Sequence, residues 1–256
     1  MILREAEKDA DVVLWDGGNN DASFFRPDLL ICVVDALRPA HEELFYPGEV
    51  NVRMADLILI NKVNALDDLS SADKQAERLK TTLIRKDTNV LFGMSVVTPE
   101  AEDASTGELL SEEEATAMVR GKRVLVIDDG PTLTHGGMAF GAGYALAKQL
   151  GAGTIVDPRP YAKGDLVGTF KKFQHLKEVL PAMGYGEKMT RDLEDTVNSV
   201  DCDCIVIGTP SDLSRVLKLN KPSVLARYNL QMVPEHSEQF NRALDSVFER
   251  FARALH

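Results

Sequence analysis

No apolar run in this 256-residue sequence approaches the roughly 18–20 residues of a membrane-spanning helix. The first stretch, Met1 to Ala10, is charged and has no signal-peptide core, so neither a membrane anchor nor a secretory leader is expected. Basic charge is scarce. Lys and Arg total 29 against 40 Asp and Glu, a net charge of -11, which argues against nucleic acid or an anionic membrane as main partner and leaves room only for a local basic pocket. Cysteine is scarce too. Cys32, Cys202 and Cys204 are an odd number without metal-ligand spacing, and Cys202 and Cys204 would point to opposite faces of a strand. A disulfide framework is not expected, and a reduced, cytoplasmic protein fits. Repeats and low-complexity tracts are absent, and 44% hydrophobic with 27% charged residues is a globular rather than a disordered composition. The phosphate cradle G-x-x-x-x-G-K-[ST] occurs nowhere, and Gly121-Lys122-Arg123 precedes an apolar run instead of following one.

Short apolar runs, by contrast, recur along the chain. They are Val12–Trp15, Leu29–Val34, Leu57–Ile60, Val90–Phe92, Val124–Ile127, Thr154–Val156, Ile205–Ile207 and Val224–Ala226. They are rich in β-branched residues and continuous rather than alternating, as in parallel strands buried on both faces. Helical patterns lie between them. One runs from Asp67 to Asp87 with a start at Ser70-Ser71; Ser111–Glu114 reads as a capping box; Gly137–Leu150 and Thr190–Val200 are further helices. After Pro234, residues Phe240, Leu244, Val247, Phe248, Phe251 and Leu255 make one packing stripe. Strands alternating with helices predict an α/β fold: doubly wound, mostly parallel sheets flanked by helices, NTPase-like in the first half and Rossmann-like in the second. The acidic stretch 98–120 reads as a linker between a partial NTPase-like domain, 1–97, and a C-terminal α/β domain, 121–256.

In such sheets ligands bind at the carboxyl ends of strands, so the residues after each apolar run are the candidates for chemistry. The first run leads into Asp16-Gly17-Gly18-Asn19-Asn20-Asp21, a Walker-B pattern. Asp16 is the candidate catalytic and metal-binding acid, holding Mg²⁺ through water, and Gly17 and Gly18 would let the backbone approach a γ-phosphate. The blander reading is an Asp-Gly turn. The third run ends in Asn61-Lys62-Val63-Asn64, which resembles the Asn-Lys-x-Asp base-recognition motif of GTP-binding proteins. Asn61, Lys62 and Asn64 are therefore the nucleotide-base candidates. Asn64 replaces the acid, and a neutral acceptor contributes about 0.5–1.5 kcal/mol where a charged one contributes about 1.5–3, which weakens guanine selectivity. ATP and GTP both stay open.

A second cluster follows Val124–Ile127: Asp128, Asp129, Gly130, Pro131, Thr132, Leu133, Thr134, His135, Gly136 and Gly137. Asp128, Asp129 and His135 are candidate catalytic groups. Thr132, Thr134, Gly136 and Gly137, opening a helix, are candidate phosphate contacts. The structural alternative is a tight connection whose hydroxyls cap the helix. Gly141 and Gly143 read as close packing on the sheet. Arg159, between Pro158 and Pro160, is a candidate phosphate fork or, more commonly, a surface ion pair. Leu180–Gly186 reads as a turn with packing residues, and Thr209 to Ser211 as a helix cap.

Together with Arg26-Pro-Asp28, Tyr46-Pro-Gly-Glu49, Asp157-Pro-Arg-Pro-Tyr161, Leu180-Pro-Ala-Met-Gly-Tyr185 and Asn220-Lys-Pro222, these motifs resemble the cyclic 2,3-diphosphoglycerate synthetase-like family of predicted GTPases, from about Asp9 to about Leu230. The resemblance implies a further N-terminal part carrying a P-loop, so that this chain matches only the family's C-terminal portion and would be inactive alone. It implies ATP or GTP with Mg²⁺, a small phosphorylated substrate, and formation of an intramolecular pyrophosphate. Family resemblance is associational, and a GTPase switch or a non-catalytic nucleotide-binding module are the competing expectations. A homo-oligomer is compatible with each.

Overall fold

The computed structural model describes residues 2–254 apart from 19, 20, 104, 184, 185, 211 and 212, and side chains up to residue 250. Asn19, Asn20, Tyr185, Ser211 and the side chains of Phe251 and Leu255, all named above, lie outside the described residues. In chain order the elements are α1 (Ile2–Ala6), β1 (Ile31–Asp35), α2 (His41–Leu44), α3 (Gly48–Met54), β2 (Leu57–Asn61), α4 (Ser70–Thr82), β3 (Asn89–Glu100), α5 (Glu112–Val119), β4 (Arg123–Asp129), α6 (Gly130–Thr134), α7 (Ala142–Gln149), β5 (Thr154–Ile155), α8 (Asp165–Lys172), β6 (Val179–Ala182), α9 (Glu187–Ser199), β7 (Cys204–Gly208), β8 (Ser223–Met232) and α10 (Pro234–Ala254). The chain divides into two compact units, one of residues 1–96 and 230–256 and the other of 97–229.

In the first unit β1, β2 and β3 are parallel, with Asp35 opposite Asn61 and Leu57 opposite Asn89. Side chains alternate across the sheet. Ile58 and Ile60 face a core with Val52, Ala72, Ala76 and Leu79 of α3 and α4. Leu57, Leu59 and Leu91 face the other way, onto Phe240 and Ala243 of α10. Both faces of β2 are covered, which is why its run is continuously apolar. His236 anchors the start of α10, its Nδ1 accepting the Phe92 N–H at 2.7 Å.

In the second unit β4 is central. β7 lies along one edge; β5 and then β6 lie along the other, all parallel to β4. β8 continues on the far side of β7. Val124–Ile127 and Ile205–Ile207 are fully buried among helices α5, α7, α8 and α9. The α5 capping box is present, with Ser111 accepting from Glu114 N–H and the Glu114 carboxylate accepting from Ser111 N–H. Ala115 and Val119 of that helix are fully buried, so the acidic stretch packs on the core of this unit.

Two expectations are corrected. Residues 12–15 form no strand; Leu14 is 89% exposed, and among the described residues no strand pairs with the run. A run of this kind becomes a strand only when a neighbouring strand covers its edge, and none of the described ones does so here. Conversely, Val179–Ala182 forms β6 where a turn was expected. Among the described residues β6 pairs with β4 alone, and such an edge position tolerates Pro181. The parallel α/β layering is as expected.

Candidate functional site

Parallel strands end on one rim, so Asp35, Asn61 and the residues after Phe92 converge there. Lys62 follows β2 with φ 67, a left-handed conformation that costs a non-glycine residue about 1–2 kcal/mol and marks a constrained position. Its N–H donates to Asn61 Oδ1 at 2.8 Å. Its Nζ donates to Asp35 Oδ2 at 2.7 Å, which fixes where the four-carbon stem lies. Arg38 holds the same carboxylate through Nε at 3.0 Å and Nη2 at 2.9 Å. Burial pushes the Asp35 carboxyl up, but the Lys62 hydrogen bond and charge, the Leu37 N–H and the Arg38 charge together hold it below the usual range, so it is ionised at neutral pH. Asn64 is exposed and is bonded through both ends of its amide. Its Nδ2 donates to Ser95 O at 3.0 Å and its Oδ1 accepts the Ser95 N–H at 2.9 Å.

Beneath this rim, Glu42 accepts from Gln75 Nε2 at 3.3 Å and from Arg78, and Arg78 also pairs with Glu43. Gln75 Nε2 reaches the Asp35 carbonyl at 3.4 Å, tying the two groups together. Three carboxylates (Asp35, Glu42, Glu43) balance three cations (Arg38, Lys62, Arg78). These groups therefore give the rim no net positive charge. The sequence pointed to Asp35 as a strand end and to the Arg38–Glu43 stretch after it as a polar loop; Ser95 was not singled out.

Asp16 is exposed and makes no hydrogen bond among the described residues, none to Asn61 or Lys62 in particular. The turn after it is closed by Asp21, whose Oδ2 accepts the Gly18 N–H at 3.0 Å, and whose carbonyl accepts from Asn51 Nδ2 at 3.1 Å. A Cβ on Gly17 would meet Trp15 and Asp21 side chains at 3.1 Å, so glycine there serves turn packing. Trp15, Phe24 and Phe25 stack edge to face around the same turn.

In the second unit the β4 end resolves differently from the expected anion site. Asp128 is fully buried, and its carboxylate accepts the N–H groups of Gly141 at 2.8 Å, Gly143 at 2.7 Å and Tyr144 at 3.3 Å. The free donors at the start of α7 thus already hold an anion, and it is the protein's own side chain. Burial outweighs those three bonds and pushes the Asp128 carboxyl up to about 6. The glycines that serve this helix start are Gly141 and Gly143 rather than Gly136 and Gly137; Gly137, at φ 64, turns the chain before it. Asp129 caps α6, accepting from Thr132 N–H at 3.0 Å and Oγ1 at 2.8 Å. Thr134 Oγ1 donates to Gly130 O and lies 3.2 Å from His135 Nδ1, which leaves the exposed His135 ring at the surface of the loop. Arg159 is forked onto Asp157, with Nε at 2.9 Å from Oδ1 and Nη2 at 2.6 Å from Oδ2, the ion-pair alternative.

Other chemistry is narrowed. Burial pushes the Cys32 thiol up to about 11 and the Cys204 thiol to about 12, so neither is an activated nucleophile. Among the described residues no group of three or more His, Cys, Asp or Glu is placed to hold a metal ion, and no helix is long and apolar enough to cross a membrane.

No family model matches the chain. Among curated proteins, it is similar to the arginine synthetase ArcE of Thermococcus kodakarensis, with 47% identity over 98% of the chain. The aligned region is 51% of that protein, so the chain spans about half the length of the curated relative it matches.

Proposed function

We propose that this chain is part of an ATP-dependent synthetase, with a nucleotide-base contact in the first unit and a substrate-binding loop cluster in the second. The observation that carries this reading is the 47% identity, over nearly the whole chain, to a protein named arginine synthetase. The pinned Lys62 supports it, since a lysine stem held at a strand-end rim offers an apolar rail for a purine. Asn61 and Lys62 are the proposed base contacts, and Asn64 braces the loop from Ser95. With a neutral amide at position 64 whose oxygen and nitrogen each already bond Ser95, the base is proposed to be adenine. Mg²⁺ would neutralise charge on the ATP phosphates; with no strand before it, Asp16 lacks the strand-end place that made it the candidate ligand, and no ligand set for the ion is assigned among the described residues.

Arginine formation from a ureido amino acid replaces a C–O bond with a C–N bond. In the proposed reaction the ureido oxygen attacks the γ-phosphorus of ATP and ADP leaves. Ammonia then attacks the carbon, phosphate leaves with the C–O electron pair, and a base takes up the ammonia's proton. His135 is the proposed proton carrier. Cyclic 2,3-diphosphoglycerate synthesis shares the first step, phosphoryl transfer to a substrate oxygen, and is the second reading. Against it stands Arg159, whose guanidinium is already forked onto Asp157, leaving less cationic charge to receive a bisphosphate. The test is a ¹⁵N–¹H amide titration of the chain with L-arginine and, separately, with 2,3-bisphosphoglycerate. Arginine is expected to shift Thr132–Gly137 and their neighbours, with 2,3-bisphosphoglycerate leaving them in place. The reverse pattern would replace the arginine reading with the cyclising one.

A further inference from the structure

The Thr134 hydroxyl serves two contacts with one proton. Its Oγ1 lies 2.8 Å from the Gly130 carbonyl oxygen and 3.2 Å from His135 Nδ1. A carbonyl only accepts, so the hydroxyl proton goes to Gly130. The contact to His135 is then a hydrogen bond only when Nδ1 carries the hydrogen and Oγ1 accepts it. The other ring nitrogen, Nε2, keeps its lone pair, on a residue exposed at the surface of the loop. Thr134 itself is only 9% exposed, so water competes little for its hydroxyl. A second histidine at the same helix end is fixed the opposite way. His175 Nε2 lies 3.0 Å from the Leu133 carbonyl oxygen, in the last turn of α6, where carbonyls lack partners within the helix. That acceptor requires the hydrogen on Nε2 and leaves the His175 lone pair on Nδ1.

We propose that Thr134 is a positioning residue, whose hydroxyl fixes His135 as the Nδ1–H tautomer and offers Nε2 as the proton acceptor of the 130–137 loop. Thr134 is then not a phosphate donor, because its only hydroxyl proton is held by Gly130. The chemistry served by this arrangement rests on the synthetase reading. When ammonia attacks the carbon and phosphate leaves with the C–O electron pair, one N–H bond of the attacking nitrogen breaks and its proton bonds to His135 Nε2. The imidazolium so formed keeps its Nδ1–H on Thr134 Oγ1, so the ring holds its place through the transfer.

Long-range ¹H–¹⁵N spectra of the imidazole rings, taken on the purified chain at about pH 9 where an ordinary imidazole is uncharged, read each tautomer directly. His135→Gln and His175→Gln identify the two sets of signals. His135 is expected mainly as Nδ1–H and His175 mainly as Nε2–H. Thr134→Val keeps the shape and removes the hydroxyl. It is expected to lower the Nδ1–H to Nε2–H ratio of His135 roughly fivefold or more, the scale of one neutral hydrogen bond, and to leave His175 unchanged. Thr134→Ser is expected to keep the wild-type ratio. His135 found mainly as Nε2–H in the wild type, or a ratio that Thr134→Val does not move, would overturn the proposal. Should Thr134→Val fail to fold, the wild-type and Thr134→Ser tautomers decide it alone. The arginine titration is read separately. Arginine that leaves Thr132–Gly137 in place removes the synthetase chemistry while the tautomer still stands or falls on the spectra. Arginine that shifts those amides but not His135 Nε2 would overturn the role given to that nitrogen.

Discussion

Gly208→Ala is expected to remove at least about 3 kcal/mol from the unfolding free energy of the second unit. A Cβ at position 208 would lie 2.1 Å from Asp128 Oδ1, 2.2 Å from Gly143 N and 2.7 Å from Gly143 Cα. Two of those three atoms are backbone, and the third is a carboxylate held by three N–H groups, so nothing nearby can swing aside. The end of β7 and the first turn of α7 touch backbone to backbone, with Asp128 closing the gap between them. Accommodating the methyl group means moving α7 off the sheet, which exposes Leu146 and Ala147, both fully buried. Urea denaturation measures the loss. Gly168→Ala is the matched control, because a Cβ there meets nothing within 4 Å and the residue lies inside α8. That variant should be stabilised by about 0.5–1 kcal/mol. Equal midpoints for wild type and Gly208→Ala would mean that the close approach is not a constraint.

Asp128 also predicts an unusual pH dependence. Its carboxyl is raised to about 6 in the folded protein, against about 3.9 in an unfolded chain. The folded state therefore binds its proton more tightly than the unfolded state does. Its contribution to stability is fully present below about pH 4 and is lost as the pH rises through about 6, a total of about 3 kcal/mol. This is opposite to the ordinary salt-bridged carboxylate, of which Asp35 is an instance in the first unit: its lowered value makes its contribution present at neutral pH and lost on acidification. The comparison with Asp128→Asn isolates the effect, since the amide cannot ionise. Across pH 4 to 7 the wild type should lose about 3 kcal/mol relative to the variant. A flat difference would show that the three N–H donors fully offset the burial of the charge.

How much of this was legible in the sequence differs by element. β2 and β4 were readable because each is covered on both faces, and that coverage writes a continuous apolar run into the chain. Val12–Trp15 has the same spelling and no strand, because composition records that a segment suits burial but not whether a neighbour is there to bury it. β6 was missed for the converse reason. Pro181 reads as a break, and only the tertiary fact that β6 is an edge makes it harmless. At the sites, Asn61 and Asp128 lie at strand ends as read from the sequence while Asp16 does not, and the sequence could not say which polar residues are spent on one another. Asp128 and the α7 donors, Asn64 and Ser95, and Arg159 and Asp157 are each partly or wholly satisfied internally. The pairings of Asp128 with residues 141–144 and of Lys62 with Asp35 depend on helix placement and strand register, which no local pattern encodes.

An amide titration with ATP and Mg²⁺ shows whether the proposed Asn61–Asn64 loop at the rim of the first unit receives a purine nucleotide. Shifts are expected to centre on Asn61, Lys62, Asn64 and Ser95, with an affinity weakened roughly tenfold or more in Lys62→Ala. Shifts that leave those four amides in place, or an undiminished response in Lys62→Ala, would contradict it.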